Sequence, residues 1–278
     1  MKRFPQWLKR SIVLDSSVDE IKNLLRSLKI STVCESARCP NIYDCFSRHR
    51  CTFLILGRSC TRRCGFCSIE DYGDFLQPDE SEPLRIKEIV EKLSFNEVVI
   101  TSVTRDDLED GGAGQFADCI KILREANRHL YIEVLVPDFL GRTDAIEKVV
   151  YAGPDVFAHN LDTVPRLYKE IKPHAIYKRS LDVLGYVKKI RPEMTTKSGL
   201  MVGLGERYEE IYAVMRDLRD VGCDAITIGQ YLKPDSGCKD VVDFVPPEDF
   251  LRFSKFAEEL GFKDIVCSPF ARSSYKNR

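Results

Sequence analysis

Cys51-Thr52-Phe53-Leu54-Ile55-Leu56-Gly57-Arg58-Ser59-Cys60-Thr61-Arg62-Arg63-Cys64-Gly65-Phe66-Cys67 is the stretch on which the fold turns. Its first six residues are a short apolar run of the sort buried on both faces in a parallel sheet. The stretch then leaves the strand and carries three cysteines spaced C-x3-C-x2-C on a loop at the strand's C-terminal end, the edge where barrels bind ligands. Downstream the pattern repeats. Strands are predicted at 51–56, 97–101, 131–136, 155–159, 198–203 and 224–228. Helices are predicted near 85–93, 114–128, 143–151, 179–190, 206–221 and 247–260. In the fifth of these, Ile211, Val214, Met215, Leu218 and Val221 make one apolar stripe that Gly222 stops. Upstream, Ser17-Val18-Asp19-Glu20 is a capping-box pattern before a Leu/Ile-rich helix. Six βα units of about 30–40 residues each predict an α/β fold, a partial (β/α)6 TIM-type barrel; eight units would need more chain. The expected organisation is an N-terminal extension over 1–50, a barrel over 51–262 and a C-terminal tail over 263–278.

The chain has 278 residues, 44% hydrophobic and 31% charged, which excludes a disordered protein. Lys plus Arg is 42 and Asp plus Glu is 43, so no global charge draws it to nucleic acid or an anionic membrane. Met1 to Arg10 has too few apolar residues for an export signal, and Phe53–Leu56 is too short to span a bilayer. Asp15, Asp19 and Glu20 make a poor transit peptide. The expected location is the cytoplasm, where disulfides are rare. Eleven cysteines therefore need another explanation. Six fall in two triplets: Cys34, Cys39, Cys45 and Cys60, Cys64, Cys67. Cys51, Cys119, Cys223, Cys238 and Cys267 read as small buried hydrophobes.

Structural zinc usually takes four protein ligands, and no fourth Cys or His follows the second triplet at zinc-finger spacing. A 4Fe–4S cube normally takes four thiolates, so three leave one iron open. A zinc site that borrows a distant ligand is the alternative. Two other classes compete: a two-cluster electron carrier, against which the long chain after the cysteines argues, and a zinc-dependent binding module.

The C-x3-C-x2-C loop, with Phe66 before the last cysteine, resembles the signature of the radical SAM superfamily. The resemblance implies that the open iron chelates S-adenosylmethionine (SAM) and that one electron releases a 5′-deoxyadenosyl radical. In that setting, Cys34-x4-Cys39-x5-Cys45 reads as the ligand set of an auxiliary cluster. Within the superfamily the chain is most similar to the lipoyl synthases, nearly end to end. The shared stretches are Thr32-Val33-Cys34-Glu35, Cys39-Pro40-Asn41, Arg62 to Cys67, Val99 to Leu108, Asp110-Gly111-Gly112-Ala113, Glu133 to Phe139 and Ala152 to Val156. They continue with His159-Asn160, Thr163 to Tyr168, Lys197 to Glu206, Thr227 to Leu232 and Arg272-Ser273-Ser274-Tyr275.

That resemblance implies sulfur insertion at C6 and C8 of a protein-bound octanoyl-lysine, using two radicals and sulfur from a sacrificial auxiliary cluster. It implies that a serine oxygen completes the auxiliary cluster: Ser274, with Ser273 its neighbour. Cys267, where the family usually has a small residue, is a weaker alternative. Implied SAM contacts are Thr101 to Thr104 near the methionine amino group, Asn160 and Asp162 near the ribose, Arg179 towards the carboxylate, and Gly203 to Glu206 beside the adenine. Arg62-Arg63 could bind the carboxylate or be a solvated basic pair. Gly111-Gly112 and Gly205 could equally be turns, and His49 and His159 read as structural. Gly203-Leu204-Gly205-Glu206 lacks the spacing of a dinucleotide fingerprint. Implied partners are octanoylated lipoyl-carrier domains (2-oxoacid dehydrogenase E2 subunits and the glycine cleavage H protein), a low-potential donor such as ferredoxin or flavodoxin, and a cluster-rebuilding carrier. Lys2-Arg3, Lys9-Arg10, Arg272, Lys276 and Arg278 could face an acidic carrier domain.

Overall fold

In the computed structural model the described residues are 4–9, 16–69 and 73–274. They divide into two compact units: Ile12–Arg62 with Ser68–Phe157, and Met1–Ser11 with Arg63–Cys67 and Ala158–Arg278.

The first unit opens with α1 (Ser16–Ser27), which buries Val18, Ile21 and Leu25 along one stripe. β1 (Ser31–Thr32) leads into α2 (Val33–Ser36) and α3 (Ile42–Ser47). β2 (Thr52–Ile55) is buried at every position, as its unbroken apolar run predicts. α4 (Glu82–Lys92), β3 (Glu97–Ser102), α5 (Ala113–Ala126), β4 (Tyr131–Leu135), α6 (Thr143–Ala152) and β5 (Val156–Ala158, its last residue in the second unit) follow. β1 pairs antiparallel with β2, whereas β2 with β3 and β3 with β4 are parallel. Gly112 starts α5 at φ +89°, and a Cβ there would strike the Leu56 side chain, so the position accepts only glycine. Asp110 accepts from the amides of Gly112 and Gly114 at 2.9 and 2.8 Å. Gly111-Gly112 is thus a turn and helix start.

The second unit continues with α7 (Tyr168–Ile171), α8 (Tyr177–Ile190), β6 (Thr195–Val202), α9 (Tyr208–Asp220), β7 (Ala225–Gln230), α10 (Pro247–Glu259) and β8 (Asp264–Ser268). β6, β7 and β8 pair in parallel. The predicted stripe of α9 is buried through Ile211, Val214, Met215 and Leu218, and faces Phe250 and Phe253 of α10. The α/β class and the six predicted strands are present.

Several elements lie outside the sequence expectation, among them β8, α2, α3 and β1. β8 occupies part of the expected tail; its run Ile265-Val266-Cys267 is too brief and too polar-flanked to signal a strand alone. α2 and α3 sit in what reads as a cysteine loop. α2 is a single turn capped by Thr32 and α3 has six residues with no side-chain cap, and both are too short to show apolar periodicity. β1 spans two residues, below any periodic signal.

Candidate functional site

The β2 run ends at Leu56 and Gly57, both at positive φ, which turns the chain off the sheet. The loop that follows is laced to the loop after β3. Thr61 donates through N and Oγ1 to the Thr104 carbonyl at 2.9 and 3.0 Å, and Asp106 N donates back to Thr61 Oγ1 at 3.1 Å. Thr104 N donates to the Cys60 sulfur at 3.3 Å, the kind of amide contact that tunes cluster thiolates. Arg62 is neither solvated nor open to a ligand. Its buried guanidinium forks onto Asp106 at 2.7 and 2.9 Å and reaches Asp138 at 2.6 Å. Burial disfavours the charge, but the hydrogen bonds that Arg62 donates to the two carboxylates outweigh it and push the Arg62 pKa up. The residue therefore serves as a fixed cationic strut beneath the Cys60 loop.

In the same unit, the first triplet is shaped by local backbone bonds. Thr32 caps α2 by accepting from Glu35 N at 3.3 Å. Cys39 N bonds the Cys34 carbonyl at 3.0 Å, Ile42 N the Cys39 carbonyl at 3.2 Å, and Cys45 N the Asn41 carbonyl at 2.9 Å. Burial pushes the Cys34 thiol up to about 12, with the neighbouring Cys39 adding to the effect. Burial likewise raises Cys45 to about 12, with Cys34 and Cys39 adding. Charge on neighbouring cysteines thus disfavours the thiolates of Cys34 and Cys45, an effect that bound iron would relieve. Cys51, expected to be a bystander, is buried beside them: burial raises it well above its ordinary value, and Cys34 and Cys45 raise it further. Nothing in its spacing singles it out.

In the second unit, Cys67 N bonds the Cys64 carbonyl at 3.1 Å, closing a turn. Gly65 is clasped by Ile171 O at 2.8 Å and by Lys239 N at 2.7 Å, and a Cβ there would lie 2.9 Å from Lys239 Cγ. Phe66 anchors the turn against the unit's core. Cys238 lies beside it and donates to the Cys67 carbonyl at 3.4 Å. Lys172, which no sequence signal marks, is buried and bonds Asp162 Oδ2 at 2.9 Å and the Asn160 carbonyl at 3.0 Å. Burial opposes its charge, but Asp162 prevails and the pKa is raised, with Cys64 also contributing. Lys172 therefore stays protonated near Cys64.

The other expected residues separate by what their polar atoms do. The Thr101 hydroxyl donates to the Leu135 carbonyl at 2.7 Å. Arg179 Nη2 donates to the His174 carbonyl at 3.1 Å. Glu206 bonds the amides of Gly203 and, at 2.9 Å, Leu204, so it closes the turn after β6; burial raises its pKa despite those bonds. Asn160 Nδ2 donates to Ser273 Oγ at 2.7 Å. His49 and His159 bond Leu93 O at 2.9 Å and Ser180 Oγ at 3.0 Å, as structural residues do. Among the described residues, Ser102 Oγ, Asn160 Oδ1, Thr163 Oγ1 and Thr227 Oγ1 are buried without a partner. An unmade bond of this kind costs about 1–3 kcal/mol, so each such atom invites a ligand or a water. Ser102 ends β3 in the first unit and Asn160 lies just past β5 in the second. Ser102, within the expected 101–104 stretch, is thus a stronger candidate than Thr101, whose hydroxyl is engaged.

None of the eleven thiols is bridged. Cys39, Cys45, Cys60, Cys64 and Cys67 are part-exposed, whereas Cys51, Cys119, Cys223 and Cys238 are buried. Soft, unbridged thiols in two sets of three fit iron–sulfur clusters. Among the described residues no three His, Cys, Asp or Glu side chains already converge on a single-ion site. Lys2, Arg3, Arg10, Tyr275, Lys276 and Arg278 lie outside the described residues. Of the basic set, Lys9 and Arg272 are described, and Arg272 Nη1 bonds the Ala271 carbonyl at 2.6 Å.

A family model described as the Radical SAM superfamily matches residues 54–218, and one described as the N-terminal domain of lipoyl synthase matches residues 1–39. The chain is 49% identical over 271 residues to a lipoyl synthase of Caldicellulosiruptor saccharolyticus, covering 98% of this chain and 95% of that one. It is 50% identical over 273 residues to a lipoyl synthase of Haemophilus influenzae, covering 98% and 85%. Among solved structures it resembles Streptococcus suis SuiB bound to S-adenosylmethionine (TM-score 0.58, 13% identity, 87% of this chain and 57% of that one). It also resembles Escherichia coli coproporphyrinogen III oxidase HemN, a radical SAM enzyme (TM-score 0.53, 15% identity, 75% and 52%). At these identities the structural likeness speaks for the fold, a partial TIM-type barrel, and the sequence likeness for the family.

Proposed function

The chain belongs to the lipoyl synthase family of the radical SAM superfamily, and from that membership we propose that it inserts sulfur at C6 and C8 of an octanoyl-lysine carried on another protein. No protein acid or base removes a proton from such unactivated carbons, so cofactors carry the hard step and the chain positions them. When bound, a 4Fe–4S cluster with SAM supplies a 5′-deoxyadenosyl radical for each C–H bond, and a sacrificial auxiliary 4Fe–4S cluster supplies the sulfur.

Cys60, Cys64 and Cys67 would hold the first cluster, and Cys34, Cys39, Cys45 and Ser274 the second. A hydroxyl is a poor ligand for soft iron–sulfur chemistry, which suits an iron that must later leave. The Thr104 amide and the Lys172 ammonium offset negative charge near Cys60 and Cys64. Ser102 and Asn160 offer buried polar atoms to SAM. Asp162 has its carboxylate on Lys172, so its part in binding the ribose is one of held orientation. Arg179, Gly203 and Glu206 fill remaining places around the nucleoside, with Glu206 acting by shaping the turn.

The observation that carries this reading is the pair of unbridged thiol triplets, one on the loop after β2 and one in the segment that holds α2 and α3. The partners it requires are the octanoylated carrier domains of E2 subunits or the H protein, a donor such as ferredoxin or flavodoxin, and a carrier that rebuilds the spent cluster. A thiolate-ligated site belongs in a reducing cytoplasm. No described helix is long and apolar enough to cross a membrane.

Anaerobically purified protein should be brown and hold about eight iron and eight sulfide. With SAM, a strong reductant and an octanoyl-lysine peptide, it should give the dithiolane mass. SAM cleavage without sulfur insertion would mean a radical SAM enzyme of another activity, and a colourless zinc protein would overturn the reading altogether.

A further inference from the structure

Two glycines stand inside strands of the second unit where glycine weakens a sheet: Gly199 in β6 and Gly229 in β7. Gly199 lies opposite Thr227 and Gly229 opposite Met201, so the two share one face of neighbouring strands. A Cβ on Gly199 would lie 2.7 Å from Ser273 Oγ and 2.8 Å from Asn160 Oδ1. A Cβ on Gly229 would collide with the Ala271 carbonyl and sit 3.2 Å from Arg272 Nη1. What occupies the missing side-chain space is the chain's own C-terminal segment. Its backbone is tied down at Gln230 N to Pro269 O, 3.2 Å, and at Ala271 N to Ser268 O, 3.0 Å. Asn160 Nδ2 donates to the Ser273 hydroxyl at 2.7 Å, and the buried Lys197 ammonium donates to the Ser273 carbonyl.

We propose that the bare face of β6 and β7, with Asn160 and Lys197, is a seat for the C-terminal tail, and that these are positioning residues that set where Ser274 stands. The seat acts through Ser273. With its hydroxyl taken by Asn160 and its carbonyl by Lys197, the next Cα is about 3.8 Å away and has one covalent link to a fixed neighbour. The ligand role then falls to Ser274, and Ser273 acts as its anchor. The glycines explain why the strands forgo side chains there: any larger residue would fill the space and lift the tail. The proposal rests on the reading of Ser274 as an auxiliary-cluster ligand.

The test uses the full chain, with Cys60, Cys64 and Cys67 replaced by Ala so that only the auxiliary cluster contributes to spectra. Two readouts are taken: release of C-terminal residues by carboxypeptidase, followed by mass spectrometry, and the Mössbauer spectrum with iron content. Gly199→Ala, Ser273→Ala and Lys197→Met should each speed removal of the residues after Arg272 by about tenfold or more. Their auxiliary-cluster spectra should shift to that of Ser274→Ala, and Lys197→Arg should restore part of the protection. Should Gly199→Ala not fold, Ser273→Ala removes only a hydroxyl and carries the same comparison. Unchanged tail release in folded variants overturns the seat. Faster release with an unchanged cluster spectrum overturns the positioning role. An auxiliary cluster missing from the parent chain itself overturns the functional reading instead, and tail release then decides the seat alone.

Discussion

Arg62 shows at the scale of one residue what spacing cannot convey. Two adjacent arginines beside a cysteine-rich loop look the same in sequence whether they meet solvent, a ligand or buried carboxylates. The deciding partners, Asp106 and Asp138, lie 44 and 76 residues away. Removing one member of a buried, hydrogen-bonded ion pair costs about 3–5 kcal/mol. Arg62→Ala should lower unfolding free energy by that order in chemical denaturation. Arg62→Lys should recover only part of the loss, because an ammonium cannot reproduce the fork. A variant as stable as the parent would remove the strut from the account. Asp224 makes a second residue-scale case. Burial opposes its charge, but Lys263 and Lys188 at 2.8 and 2.9 Å and the Thr196 amide at 3.1 Å prevail and hold its pKa down to about 2. Its ordinary value is about 3.8. The unfolded chain therefore takes up the proton first. The stabilisation is complete above about pH 4 and is lost as pH falls towards 2, by on the order of 2 kcal/mol. Asp224→Asn should be less stable than the parent at pH 6, and the difference should shrink between pH 4 and pH 2. A constant difference across that window would contradict the assignment.

At the scale of elements, periodicity carried the reading where it was long and failed where it was short. The stripe of α9 and the apolar run of β2 state which faces are buried, and the structure buries them. Leu218→Ala should cost about 2–5 kcal/mol by opening a cavity against α10, whereas Glu209→Ala, outside the stripe, should stay within about 0.5 kcal/mol. Equal losses in thermal or chemical melts would mean that α9 does not pack as described. α2, α3 and β8 escaped because caps, turns and a neighbouring strand define them, and none of these leaves an apolar period. The Cys34–Cys45 segment illustrates the gap. Its cysteines were readable as a ligand set only by resemblance, while the turns that gather them are fixed by backbone bonds that no spacing rule encodes.

For the whole molecule, the cysteine pattern gave the chemistry and the βα rhythm gave the class. Long-range pairings gave what neither could: Asn160 with Ser273 spans 113 residues and Lys197 with the same serine 76. Lys172 beside Cys64 and Cys51 beside the first triplet were illegible for the same reason, since each is an ordinary residue type placed by tertiary packing. The central claim is that the two thiol triplets do different work, one serving radical formation and the other sulfur supply. It is tested most directly by comparing Cys39→Ala with Cys64→Ala in one assay that reads 5′-deoxyadenosine and dithiolane product together. Cys39→Ala should still cleave SAM and form no dithiolane, and Cys64→Ala should do neither. Dithiolane formed by Cys39→Ala, or SAM cleavage retained by Cys64→Ala, would contradict the account.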